Sequence, residues 1–156
     1  VLGAGPQGLG WLASSAGLGA VLGALALAVR SESRGLGGWV AAAACGFGIG
    51  LLCLAASSSL LWAMASLVLV GLCMVVQMAG ANILLQTRAG DHMRGRIMSL
   101  FSMMYMGMVP LGSLWSGALS DRLGTELTIA LGGVCCLAGG VAFGAALRRA
   151  AGRAAA

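Results

Sequence analysis

The chain has 156 residues, of which 60% are hydrophobic and only 8% charged, and its mean hydropathy is +0.99. Because a soluble domain carries about 25% charged residues, this composition excludes a water-soluble globular protein. Glycine is also abundant, at 27 residues, and small residues favour close packing of helices in lipid. The composition therefore predicts an all-α, polytopic transmembrane helical bundle, with the lipid bilayer as its first partner.

The basic residues are nine arginines, with no lysine, and the net charge is +5. Such a charge raises the question of nucleic acid, but the arginines lie in short segments between apolar stretches. That distribution indicates orientation in a membrane, so we expect no nucleic-acid partner. The five cysteines all lie inside apolar stretches, so the sequence predicts no metal site, and we expect no cofactor.

The first two predicted spans end at polar turns. Residues 30–37, RSESRGLG, follow the first span, which begins after the helix breaker Pro6. Residues 35–87 then hold no charge at all, and these 53 residues are too many for one crossing. Ser57–Ser59 is the expected fold-back.

The fourth predicted span contains no charge from Ile97 to Ser120. Its length corresponds to about 36 Å of helix, enough to cross a bilayer core of about 30 Å. The segment DRLGTE is expected to turn the chain into the last span. The five predicted spans are residues 8–29, 38–56, 60–86, 97–120 and 127–147.

Five crossings would place successive loops on alternating faces of the membrane. One face then receives eight arginines, and the other receives only Arg122. By the positive-inside rule, the face with eight arginines and the C-terminus should be cytoplasmic. The eight are Arg30, Arg34, Arg88, Arg94, Arg96, Arg148, Arg149 and Arg153.

Pairs of small residues four positions apart recur along the chain, and each pair lies on one helix face. Such spacing lets a neighbouring helix approach closely, so the pairs predict a tightly packed bundle. The pairs are Gly19 and Gly23, Gly46 and Gly50, Ser113 and Gly117, and Gly140 and Gly144.

The segment 80–124 resembles the C-terminal half of a major facilitator superfamily transporter. Its closest likeness is to the transmembrane secretion effector branch, which includes enterobactin-exporter-like and macrolide-efflux-like proteins. The residues that carry the likeness are Asn82, Leu85-Gln86, Arg94-Gly95-Arg96, Pro110-Leu111-Gly112-Ser113 and, as an outer-loop motif, Gly117, Asp121, Arg122 and Gly124.

The resemblance implies that these spans are the last five of twelve helices. The chain starts at Val1, without a methionine, and we expect the N-terminal half of the same protein to be missing from it. The implied function is efflux of amphipathic small molecules, such as siderophores or macrolide-like drugs, from a bacterial inner membrane. A proton would be the coupling ion.

Two groups of residues are candidates for transport. Polar and charged residues in and next to the first loop, residues 30–37, and the third loop, residues 87–96, would form a cytoplasmic gate, or else anchor these loops at the lipid headgroups. Polarizable methionines suit varied apolar ligands, although methionines also fill cores or face lipid. The gate candidates are Arg30, Arg34, Gln86, Arg88, Asp91, Arg94 and Arg96. The substrate-cavity candidates are Met74, Gln77, Met78, Asn82, Met103, Tyr105 and Met106.

Pro110 lies in mid-span, between Gly107 and Gly112. Because proline removes one helical hydrogen bond, these residues predict a kink, which either allows bending or is a static bend.

The sequence is also compatible with one other class of function and argues against a second. A non-transporting helical scaffold or assembly subunit remains an alternative. An intramembrane enzyme is disfavoured, because His92 stands alone in a loop and has no nucleophile at its membrane depth.

Overall fold

The computed structural model describes residues 5–29, 35–90 and 92–154, and it is helical throughout these elements, as predicted. Its five helices are all long and apolar enough to cross a membrane. The gate candidates Arg30, Arg34 and Asp91 lie outside the described residues. The helices are α1 (Gly5–Ala28), α2 (Leu36–Ala55), α3 (Leu60–Arg88), α4 (Arg94–Leu123) and α5 (Thr125–Ala154).

The turn between α2 and α3 contains the three serines that were expected there. The Ser57 hydroxyl donates to the Leu54 carbonyl at 2.7 Å, and the Ser59 hydroxyl accepts from the Trp62 backbone N–H at 3.4 Å. These side chains satisfy backbone groups that the two helix ends leave without helical partners, which explains why the chain turns here.

The turn between α4 and α5 is shorter than predicted. Only Gly124 separates the two helices, and its φ of 85° lies in the left-handed region that favours glycine. Both helices therefore extend beyond the predicted spans, and Arg148 and Arg149 belong to α5.

Four helices pack side by side in the order α1, α3, α2, α5. Gly19 faces Val68 and Gly23 faces Leu72, so α1 and α3 run in the same direction. Helix α2 runs opposite to both of its neighbours. It meets α3 through Gly80 beside Val40, and it meets α5 through Gly37 beside Leu147 and through Gly48 beside Gly133.

Glycines bring these helices into direct backbone contact. A Cβ on Gly23 would lie 2.6 Å from the Leu72 carbonyl oxygen, and one on Gly48 would lie 2.7 Å from the Gly133 carbonyl oxygen. A Cβ on Gly71 would likewise collide with the Ala16 carbonyl oxygen. The close approach predicted from small-residue spacing is therefore confirmed for the interfaces of α1, α2, α3 and α5.

Helix α4 is the exception to this packing. It buries none of its residues and makes its contacts with α5 and, to a smaller extent, with α3. A Cβ on Gly117 would meet no atom within 4 Å, so the predicted pair of Ser113 and Gly117 has no helix against it in the described chain.

Candidate functional site

A cavity of about 330 Å³ lies between α4 and the packed row of helices. Helix α3 supplies most of its wall, and the other helices of the site supply aromatic and thiol groups. Its lining residues are Phe47 of α2, Met74, Gln77, Met78 and Ala81 of α3, Phe101 and Tyr105 of α4, and Cys136 of α5.

Four of the predicted cavity residues meet in this cavity. Met74, Gln77, Met78 and Tyr105 come together although α3 and α4 are separated by the third loop. Met74 and Met78 keep 48% and 42% of their surfaces exposed, so the cavity is open rather than sealed. Asn82 lines an adjoining cavity of about 360 Å³, which shares Met78 with the first.

Met103 and Met106 lie outside both of these cavities, and each is 76% exposed. Helical geometry separates them from the cavity, because residues 101 and 105 share one face of α4 whereas 103 and 106 do not lie on it. The methionine-rich segment therefore contributes one face to the cavity and leaves another uncovered.

Sequence reasoning missed Phe47, Phe101 and Cys136. Phe101 precedes Tyr105 by four residues, and their rings stack with centroids 6.4 Å apart and planes 23° apart. That spacing was a signal available in the sequence, since residues i and i+4 share a helix face. Phe47 and Cys136 carry no such signal, because only the arrangement of α2 and α5 brings them there.

The largest of the described cavities, about 580 Å³, lies elsewhere, between α2 and α5. Small residues and Arg148 line it, and it contains none of the predicted cavity residues. Its volume alone does not make it the functional site, because it lacks convergent polar groups.

A chain of side-chain hydrogen bonds joins the end of α3 to the start of α4. The Gln86 amide nitrogen donates to Asn82 Oδ1, and the Gln86 Oε1 accepts from Arg94 Nη2 at 2.9 Å. The Gln86 amide thus uses both its N–H group and its oxygen. It connects Asn82, which lines the adjoining cavity, to Arg94 at the start of α4. Arg88 follows Gln86 by two residues, Arg96 follows Arg94 by two, and both are exposed.

All of the described arginines except Arg122 lie at one end of the bundle. Gly80 near the end of α3 and Leu147 near the end of α5 both lie beside the start of α2. Arg88, Arg94, Arg96, Arg148 and Arg149 belong to this end. The opposite end carries the outer-loop motif of Gly117, Asp121, Arg122 and Gly124, together with Glu126.

Helix α4 continues without a break through Pro110. Because proline has no N–H, it cannot donate the helical bond to the Met106 carbonyl. The Ser113 hydroxyl donates to the Pro110 carbonyl at 2.9 Å. Neither Gly107 nor Gly112 has an atom within 4 Å of the position a Cβ would take, so this stretch has open space in which to bend.

Among the described residues, no group of three or more His, Cys, Asp or Glu side chains could hold a metal ion. The cavity's chemistry is that of an apolar pocket with an amide, a phenol and a thiol, which suits reversible binding.

The sequence model of one protein family, the Major Facilitator Superfamily, matches residues 1–155 of the chain. Comparison with curated proteins and with solved structures gave no match.

Proposed function

The chain belongs to the Major Facilitator Superfamily, a family of membrane transporters, and we propose that it exports amphipathic small molecules by alternating access. The proposed type is an efflux transporter of the transmembrane secretion effector branch, driven by the proton gradient of a bacterial inner membrane. Siderophores and macrolide-like drugs are the proposed substrate classes. Support for the branch comes from the likeness of segment 80–124.

The observation that carries the proposal is the position of the cavity along the helix axes, near the middle of the bundle. Phe47, Gln77, Tyr105 and Cys136 each lie within about five residues, or about 8 Å, of the middle of their own helices. Transporters with two rocking helix bundles bind substrate near the bilayer midplane. An open cavity at that level, with one amide among apolar groups, fits a site for amphipathic molecules better than it fits a scaffold.

We propose that α4 faces a further part of the same protein, the N-terminal half of a twelve-helix fold. The support is the uncovered surface of α4, which includes the closely spaced Ser113 and Gly117. The proton-carrying carboxylate would lie in that half, because none of the described residues that line the cavity is acidic.

The cluster around the third loop is proposed as the cytoplasmic gate. Arg94 is held by Gln86, which also binds Asn82 beside the cavity, so a displacement of α4 at this end would disturb all three. The gathering of arginines at this end of the bundle supports a cytoplasmic position for it and for the C-terminus.

Transport by the full-length protein in proteoliposomes tests the function. A macrolide should move across the membrane when a pH gradient is imposed, and it should stop moving when the gradient is collapsed. Met78→Trp, which fills the cavity, should reduce the rate at least tenfold, whereas Leu61→Trp, at an exposed position of the same helix outside the cavity, should not. A folded protein that moves no amphipathic compound under any gradient would support the scaffold instead.

The gate has a separate test. The double variant Arg94→Gln/Arg96→Gln should keep its orientation in the membrane, measured by labelling of the C-terminus, while transport slows. Unchanged transport together with unchanged orientation would exclude the gate and leave the arginines as anchors.

A further inference from the structure

The charge of the 330 Å³ cavity limits what it can bind. None of the described residues that line it is charged. Along α3, Arg88 is eleven residues beyond Gln77, about 16 Å, and along α4, Arg96 is nine residues before Tyr105, about 14 Å. A charged group of a ligand would meet no opposite charge on the wall that this chain supplies, so hydration that it lost against this wall would not be replaced, which is unfavourable.

The shape and polarizability of the wall favour an aromatic group. Phe101 and Tyr105 present stacked rings from α4, and Phe47 adds a third ring from α2. Met74 and Met78 add thioether sulfurs, which make favourable contacts with aromatic rings. Aromatic pairs add stabilisation beyond the area that they bury.

The amide of Gln77 supplies the polar part of the wall. It makes no side-chain hydrogen bond to any residue that the structure describes, and it is exposed in the cavity. An amide offers a carbonyl acceptor and two N–H donors, so a single N–H, hydroxyl or carbonyl on a ligand would satisfy it.

We infer that this cavity takes an uncharged aromatic group of the substrate, with Gln77 as its hydrogen-bond partner. The inference rests on the proposed transport function and narrows its substrates. It favours neutral aromatic molecules and disfavours siderophores whose anionic metal-binding groups would enter this cavity.

The reactivity of Cys136 reports whether a ligand occupies the cavity, because Cys136 lines the cavity whereas the neighbouring Cys135 does not. The full-length protein is alkylated with N-ethylmaleimide, and each cysteine is quantified by fragmentation in a mass spectrometer. The probes are N-phenyl-1-naphthylamine, which is neutral, and 8-anilinonaphthalene-1-sulfonate, which has the same rings and one negative charge.

At a concentration about ten times its dissociation constant, the neutral probe should slow alkylation of Cys136 about tenfold, because only the unoccupied cavity reacts. The sulfonate should not slow it, and alkylation of Cys135 should change with neither probe. Gln77→Leu and Tyr105→Leu should each weaken the protection, whereas Met106→Leu, one residue from Tyr105 but outside the cavity, should leave it unchanged.

Protection by the sulfonate as strong as that by the neutral probe would overturn the inference and leave the transport proposal standing. If neither probe protects Cys136, the inference is likewise overturned and the transport proposal is unaffected. A Cys136 that stays unreactive while Cys135 reacts would show that water does not reach the cavity, and this would overturn the inference. The proteoliposome assay would then decide the transport proposal separately.

Discussion

Helices α3 and α4 have nearly equal lengths, 29 and 30 residues, but they differ in how they pack. Helix α3 lies between α1 and α2, and apart from one valine the residues it buries are all small. Helix α4 buries nothing, although it also carries small residues, at Gly107, Gly112 and Gly117. Small residues therefore produce close packing only where a second helix lies against them, and the residue they face can be large, since Gly23 packs against Leu72.

The largest effect should come from filling a backbone contact of the packed row. Gly71→Leu would push a side chain into the Ala16 carbonyl and separate α1 from α3, which costs about 3 kcal/mol or more in unfolding free energy. Thermal unfolding of the purified full-length protein measures the loss. Gly17→Leu is the matched control, because a Cβ there meets nothing within 4 Å. Equal stability of the two variants would contradict the packing described for α1 and α3.

The second prediction tests whether the uncovered face of α4 is covered in the full-length protein. Gly117→Leu should then destabilise that protein by about 1–3 kcal/mol, because a leucine would displace the helix packed there. Gly139→Leu on α5, which also has open space around it, serves as the control in the same unfolding measurement. If Gly117→Leu unfolds like the unaltered protein, the face of α4 is exposed to lipid instead.

The third prediction concerns the polar link between α3 and α4. Gln86→Leu removes both of its hydrogen bonds, to Asn82 and from Arg94, and should cost about 1–3 kcal/mol. Hydrogen exchange of the amides in the third loop should become faster. Thr87→Val, which loses only bonds within its own helix, should leave the exchange of that loop nearly unchanged.

The smallest effect is expected at Pro110. Pro110→Ala restores an N–H for the Met106 carbonyl and should raise the stability of α4 by about 1 kcal/mol, while slowing transport if bending of α4 belongs to the cycle. Gly107→Ala, about one turn earlier, is the control, because it improves helix propensity without restoring a hydrogen bond. It therefore separates the effect of propensity from the effect of the restored bond. Unchanged transport by Pro110→Ala would show that bending of α4 at this position is not part of the cycle.

Composition and span length were sufficient to predict the five helices and the turn at Ser57–Ser59, because lipid requires long apolar helices and polar turns. The small-residue spacing also identified the faces of α1, α2 and α5 that pack. Sequence could not show that α4 would remain uncovered, since Ser113 and Gly117 have the same spacing as the pairs that do pack.

The cavity was only partly predictable. Gln77 was recognisable because a lone amide in an apolar span needs a polar surrounding. Met103 and Met106 were grouped with Tyr105 by density, although the 3.6-residue period of the helix turns them away from the cavity. Phe47 and Cys136 reach it only through the packing of α2 against α3 and α5, which no local pattern encodes. Their roles in binding, like that of Gln77, remain predictions.

The single-residue connection at Gly124 has a mechanical consequence. Helix α4 is joined to α5 there by one residue, whereas five residues, 89–93, join it to α3, so Gly124 is the tighter pivot for a swing of α4 away from the row. The displacement of α4 then increases along its length of about 45 Å and is greatest at Arg94. A small rotation at Gly124 would thus separate Arg94 from Gln86 before it widened the cavity around Tyr105.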